Sequence, residues 1–238
     1  DPRQNGLSGV GRSSWPGTSA EAPVDLYRQQ DLIEPDQLDV PITVVGCGGI
    51  GSFVVLALAK MGCRALAAYD DDRVEPHNIP NQAYRLADVG RLKVEALADL
   101  IREVAGVPLE ARPERVREQR LQGVVVTAVD TMAARREIWL RGIRYRAGVP
   151  LYLDARMGGE VARVLTVRPA DPDDVRRYEA SLHTDEEAVV LPCTAQAIVY
   201  TGFSIAALVA GQIKKFLTGE PLKGELILDH KTMTFVAC

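Results

Sequence analysis

Residues 42–51, with the sequence ITVVGCGGIG, place the strongest constraint on this chain. A short apolar run typical of a buried β-strand leads straight into a glycine-rich turn, and a helix is predicted to follow over residues 52–61. The turn holds glycines with G-x-G-x-x-G spacing and one extra glycine, namely Gly46, Gly48, Gly49 and Gly51. Backbone amides at such a junction, together with the positive N-terminus of the helix, form a seat for phosphate. The segment therefore predicts a nucleotide-binding α/β unit.

A second apolar run, residues 65–69, ends in three consecutive aspartates, Asp70, Asp71 and Asp72. They follow the glycine turn by about twenty residues, the usual spacing of a ribose-binding acidic residue. A carboxylate at this place accepts hydrogen bonds from ribose hydroxyls. Asp70 and Asp72 are therefore candidate nucleotide ligands.

Strand and helix signals continue to alternate along the chain. Helices are predicted over residues 90–104, 131–145 and 194–217, and strands over residues 123–128, 150–154, 160–167, 225–229 and 232–236. The acidic stretch 171–187 is predicted to be a surface loop. This order predicts an α/β fold with a Rossmann-like, mostly parallel sheet flanked by helices and with antiparallel strands in the C-terminal part.

Composition sets the domain organisation and excludes several classes of function. Residues 1–24 are rich in Gly, Ser and Pro and are predicted to be a flexible tail, while residues 25–238 are predicted to form a single domain. A net charge of −4 gives no reason to expect nucleic acid as a partner. The apolar stretch 194–217 contains glutamines and lysines, so a buried helix is predicted and no membrane span. The four cysteines are scattered, which suggests neither disulfides nor a zinc site and favours a cytoplasmic protein.

Polar residues follow the predicted strands at their carboxyl ends, where open α/β sheets bind ligands. In the loop 74–85, Asn78, Gln82 and Arg85 either point at the nucleotide or cap the loop. Lys93 lies in the first turn of the next predicted helix, where a lysine opposes the helix dipole, so it either meets a phosphate in front of the helix or is an idle surface lysine. Asp130 follows the strand 123–128, and it either caps the following helix or holds Mg²⁺.

These motifs, in this order, resemble the ThiF/MoeB/HesA superfamily of adenylating enzymes, which are related to ubiquitin-activating enzymes. The resemblance covers residues 25–217 and matches the form without the C-x-x-C zinc site. The motifs carrying it are Tyr27-Arg28-Gln29, the four glycines, Asp70-x-Asp72, Asn78-Ile79-Pro80-Asn81-Gln82, Lys93, and Asp130 with Arg135. Leu26 and Asn81 stand where that family has arginine, and Thr131 stands where it has asparagine. Arg85 is a candidate replacement for the arginine absent at position 81.

The resemblance implies a reaction and roles for the residues. Asp70 would hold the ribose of ATP, Asn78, Gln82 and Lys93 would surround the triphosphate, and Asp130 would place Mg²⁺. Arg28 would act as an arginine finger supplied by the second subunit of a homodimer. The implied partner is a ubiquitin-like or sulfur-carrier protein, whose C-terminal glycine carboxylate is adenylated.

Two further segments have alternative interpretations. Cys193 precedes the last long helix, and it is either a nucleophile that forms a thioester with the activated partner or a small buried thiol. Cys47 and Cys63 are predicted to be packing residues. Residues 156–159, with the sequence RMGG, either line a channel for the partner's tail or form a plain turn.

Three other functions compete with protein activation. A nicotinamide- or flavin-dependent oxidoreductase shares the glycine turn and Asp70, but gives no role to Arg28, Lys93 and Asp130. A non-catalytic scaffold half of a heterodimer is suggested by Asn81. Adenylation of a small-molecule or tRNA carboxylate uses the same site residues.

Overall fold

The computed structural model of the chain describes residues 25–182 and 197–238. Its strands are β1 (Ile42–Val45), β2 (Leu66–Tyr69), β3 (Leu109–Arg112), β4 (Val124–Thr127), β5 (Leu151–Gly158), β6 (Val161–Val167), β7 (Glu225–Asp229) and β8 (Thr234–Ala237). They form one sheet in the order β3-β2-β1-β4-β5-β6-β7-β8. The strands from β3 to β5 pair in parallel, and those from β5 to β8 pair antiparallel. The predicted fold class is confirmed.

Helices cover both faces of this sheet. They are α1 (Gly51–Met61), α2 (Lys93–Ala105), α3 (Met132–Ile138), α4 (Pro172–Ala180) and α5 (Val199–Leu217), and α3 continues into one π-helical turn, Trp139–Ile143. The apolar residues of α1, α2 and α5 belong to one buried cluster, whereas those of α3, the π-turn and α4 belong to another. Among the described residues, no helix is both long enough and apolar enough to span a membrane.

The central strands are buried because parallel strands need helices on both faces. All four residues of β1 and of β4 are buried, and every residue of both strands is β-branched, which suits a sheet covered on both sides. α1 follows β1 directly and ends at Gly62, whose φ of +97° forms a left-handed C-cap. The local signals of this βαβ unit are strong, and its predicted boundaries are confirmed within one residue.

Besides shifts of a few residues at the ends of elements, such as the start of α2, the structure departs from the predicted elements in three places. β3 was not predicted, because its sequence LEAR is short and half polar. β5 runs on to Gly158, where residues 156–159 were predicted to be a channel or a turn, because β6 pairs with it along its whole second half. The predicted loop 171–187 is wrong over its first half, which forms α4. Asp171 caps that helix by accepting hydrogen bonds from the amides of Asp173 and Asp174, and Pro172 occupies the first helical position.

The order of the strands fixes where a ligand binds. From β1 the chain moves outward to β2 and β3, and it then returns to β4 on the other side of β1. The loops that leave β1 and β4 therefore turn to opposite faces of the sheet and open a crevice between the carboxyl ends of these strands. Of the predicted site residues, Gly46, Gly48, Asp70, Asp72 and Asp130 lie at this crevice, whereas Gly49 and Gly51 do not border it.

Candidate functional site

A cleft of about 510 Å³ opens at the carboxyl ends of β1, β2 and β4. This volume lies within the range usual for pockets that bind small molecules and cofactors. The cleft brings together predicted site residues from four separate segments, namely Gly46, Gly48, Asp70, Asp72, Lys93 and Asp130. Residues of the loop after β3, including Arg115 and Val116, close one side of it.

The glycines of the turn serve two different purposes. A Cβ at Gly46, where φ is +90°, would lie 2.7 Å from the carbonyl oxygen of Ala128, and one at Gly51 would lie 1.8 Å from the carbonyl oxygen of Gly46. Packing therefore requires both of these glycines. Gly48 is different, because its Cβ would meet only Nε2 of Gln82, at 4.0 Å. Gly48 borders the cleft, so its missing side chain keeps space free for a ligand rather than for the protein.

Asp70 is fixed against the glycine turn by backbone hydrogen bonds. The amide of Cys47 donates to Oδ2 of Asp70 at 2.6 Å, and the amide of Asp72 donates to Oδ1 at 2.9 Å. Two acceptor lone pairs remain on this half-buried carboxylate. Asp70 is thus held at the floor of the cleft in a fixed orientation, as a ribose ligand requires.

Two cations offset the three carboxylates at the end of β2. Carboxylate oxygens of Asp70, Asp71 and Asp72 lie within 4.8 Å of one another. Nζ of Lys93 donates to Oδ2 of Asp72 at 2.9 Å, and Nε of Arg115 contacts both oxygens of Asp71, at 2.9 and 3.0 Å. The three carboxylates therefore lie close together, with Lys93 and Arg115 as their two neighbouring cations.

Lys93 is a buried cation at a helix N-terminus. Burial by itself lowers the pKa of Lys93, but the carboxylates of Asp70, Asp72 and Asp130 outweigh that effect and raise the pKa above its ordinary value. Lys93 is therefore positively charged at neutral pH, although the helix dipole opposes a cation there. A buried lysine held in this unfavourable position is suited to meet an anion in the cleft.

Asp130 borders the cleft and is exposed to solvent. The interpretation of Asp130 as the N-cap of α3 is wrong, because Thr131 is the cap and its Oγ1 accepts a hydrogen bond from the amide of Ala134. Thr131, which replaces the asparagine of the resembled motif, therefore takes over the capping role. The Asp130 carboxylate is left facing the cleft.

The loop after β2 contains both structural and orphaned polar groups. Oδ1 of Asn78 accepts a hydrogen bond from the amide of Glu75 at 2.9 Å, so this buried side chain caps the loop. By contrast, Oε1 of Gln82 and Oδ1 of Asn81 are buried without a partner among the described residues. Gln82 lies beside Gly48, and its atom nearest to a Cβ at that position is the amide donor Nε2.

The same loop is fastened to the glycine turn. Oγ of Ser52 donates to the carbonyl of Gly48 at 2.7 Å and accepts from the amide of Ala83 at 3.1 Å. Oη of Tyr84 donates to the carbonyl of Cys47 at 2.7 Å. Burial, followed by the nearby Asp70, raises the pKa of the Cys47 thiol, so this cysteine is neutral and packs against the core. These contacts hold Gln82 over the turn.

Arg85 does not border the cleft. Its guanidinium forms a bidentate ion pair with Asp88 and a further one with Glu103 on α2, and Asp88 is buried. These partners position Arg85 to close the short turn before α2. The role of Arg85 as a replacement for the arginine absent at position 81 stays a prediction. To fill that role, Arg85 would have to break its ion pair with Asp88.

Arg28 lies at the opposite end of α1 from the cleft. Nε2 of its neighbour Gln29 donates to the carbonyl of Met61 at 2.6 Å, and Leu26 packs against Gly62. The glycine turn is at the other end of this 11-residue helix, roughly 16 Å away. Arg28 therefore cannot reach the cleft of its own chain. Cys193 lies outside the described residues.

Sequence reasoning missed a buried ionic cluster next to the cleft. Asp154 on β5 is fully buried between Arg135 and Arg156. Arg156 therefore points into the protein and away from the channel proposed for residues 156–159. An aspartate inside an apolar strand, in the segment LYLDA, was the signal that could have identified this cluster.

Charge defines what the cleft can bind. Its described lining contains six carboxylates and three cations, and the cations are Lys93, Arg115 and Arg117. Polyphosphate would bind at the glycine turn and Lys93, and the excess of carboxylates would attract a divalent cation. The arrangement suits a nucleotide whose phosphates are carried with a metal ion.

Comparison with known proteins agrees with this geometry. The model of the ThiF family matches residues 31–237. The chain belongs to the ThiF family. It is 30% identical over 208 residues to the SAMP-activating enzyme E1 of Haloferax volcanii, a match that covers 82% of this chain and 74% of that relative.

Two further similarities bear on this ThiF-family chain. It is 32% identical over 131 residues to the NEDD8-activating enzyme E1 catalytic subunit of Arabidopsis thaliana, covering 48% of this chain but only 29% of the relative. The crystal structure of E. coli MccB with AMPCPP and MccA superposes with a TM-score of 0.66 at 17% identity, covering 86% of this chain and 65% of MccB. The latter similarity establishes the fold alone.

Proposed function

We propose that this ThiF-family chain adenylates a carboxylate with ATP. A carboxylate oxygen attacks the α-phosphorus, a new O–P bond forms, and the bond to the bridging oxygen breaks to release pyrophosphate. The product is an acyl-adenylate, in which the carboxylate oxygen has become part of a good leaving group. The observation that carries the proposal is the convergence of the glycine turn, buried Lys93 and Asp130 on one cleft in a member of this family.

The residues present fit the nucleotide. Gly48 borders the cleft, and a Cβ at this position would protrude into it. The side-chain amide of Gln82, whose Oε1 has no partner among the described residues, lies next to Gly48. Phosphates would meet the backbone amides of the turn and Nζ of Lys93, while Asp70 would accept from the ribose hydroxyls.

The residues also fit magnesium. Asp130 would hold the ion, because an exposed carboxylate at the end of β4 offers the oxygen ligand that Mg²⁺ prefers. When bound, the ion would neutralise negative charge on the phosphates, because the carboxylate-rich cleft has too few cations to do so. Replacement of Asp130 by Asn keeps the size of the side chain and removes the charge that the ion requires.

A second copy of the chain would complete the site. The charge that develops on the phosphates during transfer calls for a further cation, and Arg28 of the same chain lies at the far end of α1. We therefore assign Arg28 to the cleft of the second subunit in a homodimer. In this assembly each cleft combines Asp130 of one chain with Arg28 of the other.

Mixing two inactive variants tests this assignment. Arg28→Ala and Asp130→Asn are each expected to lose ATP–pyrophosphate exchange. After they are mixed and allowed to exchange subunits, each heterodimer holds one intact cleft, so about a quarter of the wild-type activity should return. If the mixture stays inactive although heterodimers form, Arg28 does not act across the interface.

The proposed acyl substrate is the C-terminal glycine of a ubiquitin-like or sulfur-carrier protein. The names of the SAMP- and NEDD8-activating relatives support this class of substrate. Cys193 is the proposed acceptor of the activated acyl group.

Pyrophosphate exchange tests the proposal directly. Exchange of labelled pyrophosphate into ATP is measured with three donors: a ubiquitin-like protein ending in Gly-Gly, the same protein without that dipeptide, and a panel of small carboxylic acids. Exchange should depend on the intact tail and on Asp130. Exchange with small acids alone would redirect the substrate assignment, and tight nucleotide binding without exchange would contradict catalysis. Cys193→Ala should leave exchange intact and prevent any thiol-sensitive adduct.

One observation favours a second candidate, a nucleotide-holding scaffold subunit. Asn81 removes a cation that the resembled motif supplies, and Arg85 is occupied by Asp88 and Glu103. A scaffold would bind the nucleotide but fail in exchange with every donor. Restoring the cation with Asn81→Arg should then increase exchange, whereas the same variant should change little in an active enzyme.

A further inference from the structure

Asp154 is a fully buried carboxylate on β5, beside the end of β4. Its Oδ1 accepts from Nη1 of Arg135 and from Oγ1 of Thr127. Its Oδ2 accepts from Nε of Arg156 at 2.8 Å and from Oη of Tyr178 at 3.1 Å. Both oxygens have their lone pairs filled, so this carboxylate has no capacity left for a substrate.

Arg135 connects Asp154 to the backbone at the edge of the cleft. The same guanidinium that pairs with Asp154 also donates to the carbonyl of Val129 and, at 3.1 Å, to the carbonyl of Ala155. Val129 directly precedes Asp130 in the connection between β4 and α3. One planar group on α3 therefore ties this connection to β5, and its orientation is set by a buried carboxylate.

The other side of the cluster is anchored just as firmly. Nη1 and Nη2 of Arg156 donate to the carbonyl and the hydroxyl of Ser181, at 2.9 and 3.0 Å, at the end of α4. Tyr178 on α4 also bonds to Tyr152 on β5, at 3.0 Å between the hydroxyl oxygens. Asp154 thus cannot shift without moving α4, which fixes the point from which Arg135 reaches out.

We propose that Asp154 and Arg135 are positioning residues, which hold the Val129–Asp130 connection so that the Asp130 carboxylate faces its metal ion. The inference rests on the proposed function, because that function gives Asp130 the ion. Partners that orient a metal ligand typically change metal affinity by about 10- to 100-fold when they are replaced. The guanidinium fork is essential to this role, since a lysine at position 135 keeps the charge but cannot bond to Asp154, Val129 and Ala155 together.

A charge-conserving pair of variants separates positioning from general stability. Arg135→Lys is compared with Arg144→Lys. Arg144 follows the π-helical turn that continues α3, and it also pairs with a carboxylate, that of Glu179, at 3.2 Å from its Nη2. Arg144 does not border the cleft. Two quantities are measured for each variant: amide hydrogen exchange over residues 128–134, and the Kd of a non-hydrolysable ATP analogue with Mg²⁺ and with EDTA.

In Arg135→Lys, the amide hydrogens of residues 128–134 are expected to exchange faster than in the wild type. The increase in analogue affinity that Mg²⁺ gives should be about tenfold smaller, while the Kd in EDTA stays unchanged. Arg144→Lys should match the wild type in both measurements. If Arg135→Lys keeps the full gain from Mg²⁺, or weakens binding equally with and without Mg²⁺, Asp130 is not positioned in this way. If the wild type itself fails to bind the analogue, the proposed function falls as well.

Asp154→Asn provides a second route to the same result. Asn keeps an acceptor oxygen for Arg135 but removes the charge, so the loss of the Mg²⁺ gain should recur in this variant. If both variants unfold at the temperature of the assay while Arg144→Lys stays folded, the cluster serves the stability of the fold and the positioning role is refuted.

Discussion

Gly48→Ala should separate ligand binding from folding more cleanly than any other change in the cleft. The new methyl group would meet only Nε2 of Gln82, at ordinary contact distance, and Gly48 does not have a positive φ. Replacing glycine at a compatible site reduces the entropy of the unfolded chain, which stabilises a protein by about 0.4–1 kcal/mol. For a chain of this size, the Tm should therefore rise by up to about 4 °C.

Nucleotide binding should change in the opposite direction. The methyl group would occupy the space through which a phosphate approaches the backbone amides of the turn. Losing one such charged hydrogen bond costs about 1.5–3 kcal/mol, so the affinity for ATP should fall roughly 10- to 100-fold. Calorimetric titration with a non-hydrolysable analogue measures this change, and differential scanning fluorimetry measures the Tm.

The matched control is Gly211→Ala on α5. Gly211 is exposed, and a Cβ there would meet nothing within 4 Å. Alanine is the better helix former by about 1 kcal/mol, so the Tm should rise in this variant too. Its affinity for the nucleotide should equal that of the wild type. If Gly48→Ala binds the analogue as tightly as Gly211→Ala does, the glycine turn is not the phosphate-binding site.

Three further predictions follow from the same contacts. Gly51→Ala should prevent folding, because its Cβ would lie 1.8 Å from the carbonyl oxygen of Gly46; a native circular dichroism spectrum would contradict this. Tyr84→Phe removes the hydrogen bond to the carbonyl of Cys47 and should cost about 1 kcal/mol, seen as a lower midpoint in urea with an unchanged slope. The pKa of Lys93 is raised above 10.5, so the stabilisation from its ion pair is fully present below that pH and is lost as the pH rises through the folded-state pKa. Denaturant titrations should therefore show that the stability difference between wild type and Lys93→Met is constant from pH 7 to 9 and shrinks above pH 10.5.

The sequence allowed the nucleotide unit to be predicted because its signals are local. The glycine spacing, the apolar strand before it and the aspartates after the next strand all lie within residues 42–72, and the structure places them around one cleft. Steric demands explain why: Gly46 and Gly51 are required by backbone contacts that no other residue permits. A pattern imposed by close packing is visible without knowledge of distant residues.

The cap of α3 and the partners of Arg85 could not be assigned from the sequence. Asp130 and Thr131 are both good capping residues, and only the backbone geometry decides that Thr131 is the cap. The ion pair of Arg85 with Asp88 is local, but its pair with Glu103 depends on the placement of α2, and the sequence did not show that both would hold Arg85 away from the nucleotide. Long-range ion pairs have no periodic signature, so the sequence pattern did not reveal them.

The contrast between Asp130 and Asp154 shows that the fold gives the same type of side chain different roles at two positions. Asp130 follows β4 and Asp154 lies within β5, its neighbour in the sheet, where Asp154 pairs in register with Thr127, three positions before Asp130. Asp154 is fully buried, and two guanidinium groups and two hydroxyls fill its lone pairs, whereas Asp130 is exposed to the cleft. A buried carboxylate with filled lone pairs is costly to move, which suits it to hold a connection in place. An exposed carboxylate beside it is free to bind an ion, and its usefulness then depends on how firmly that connection is held.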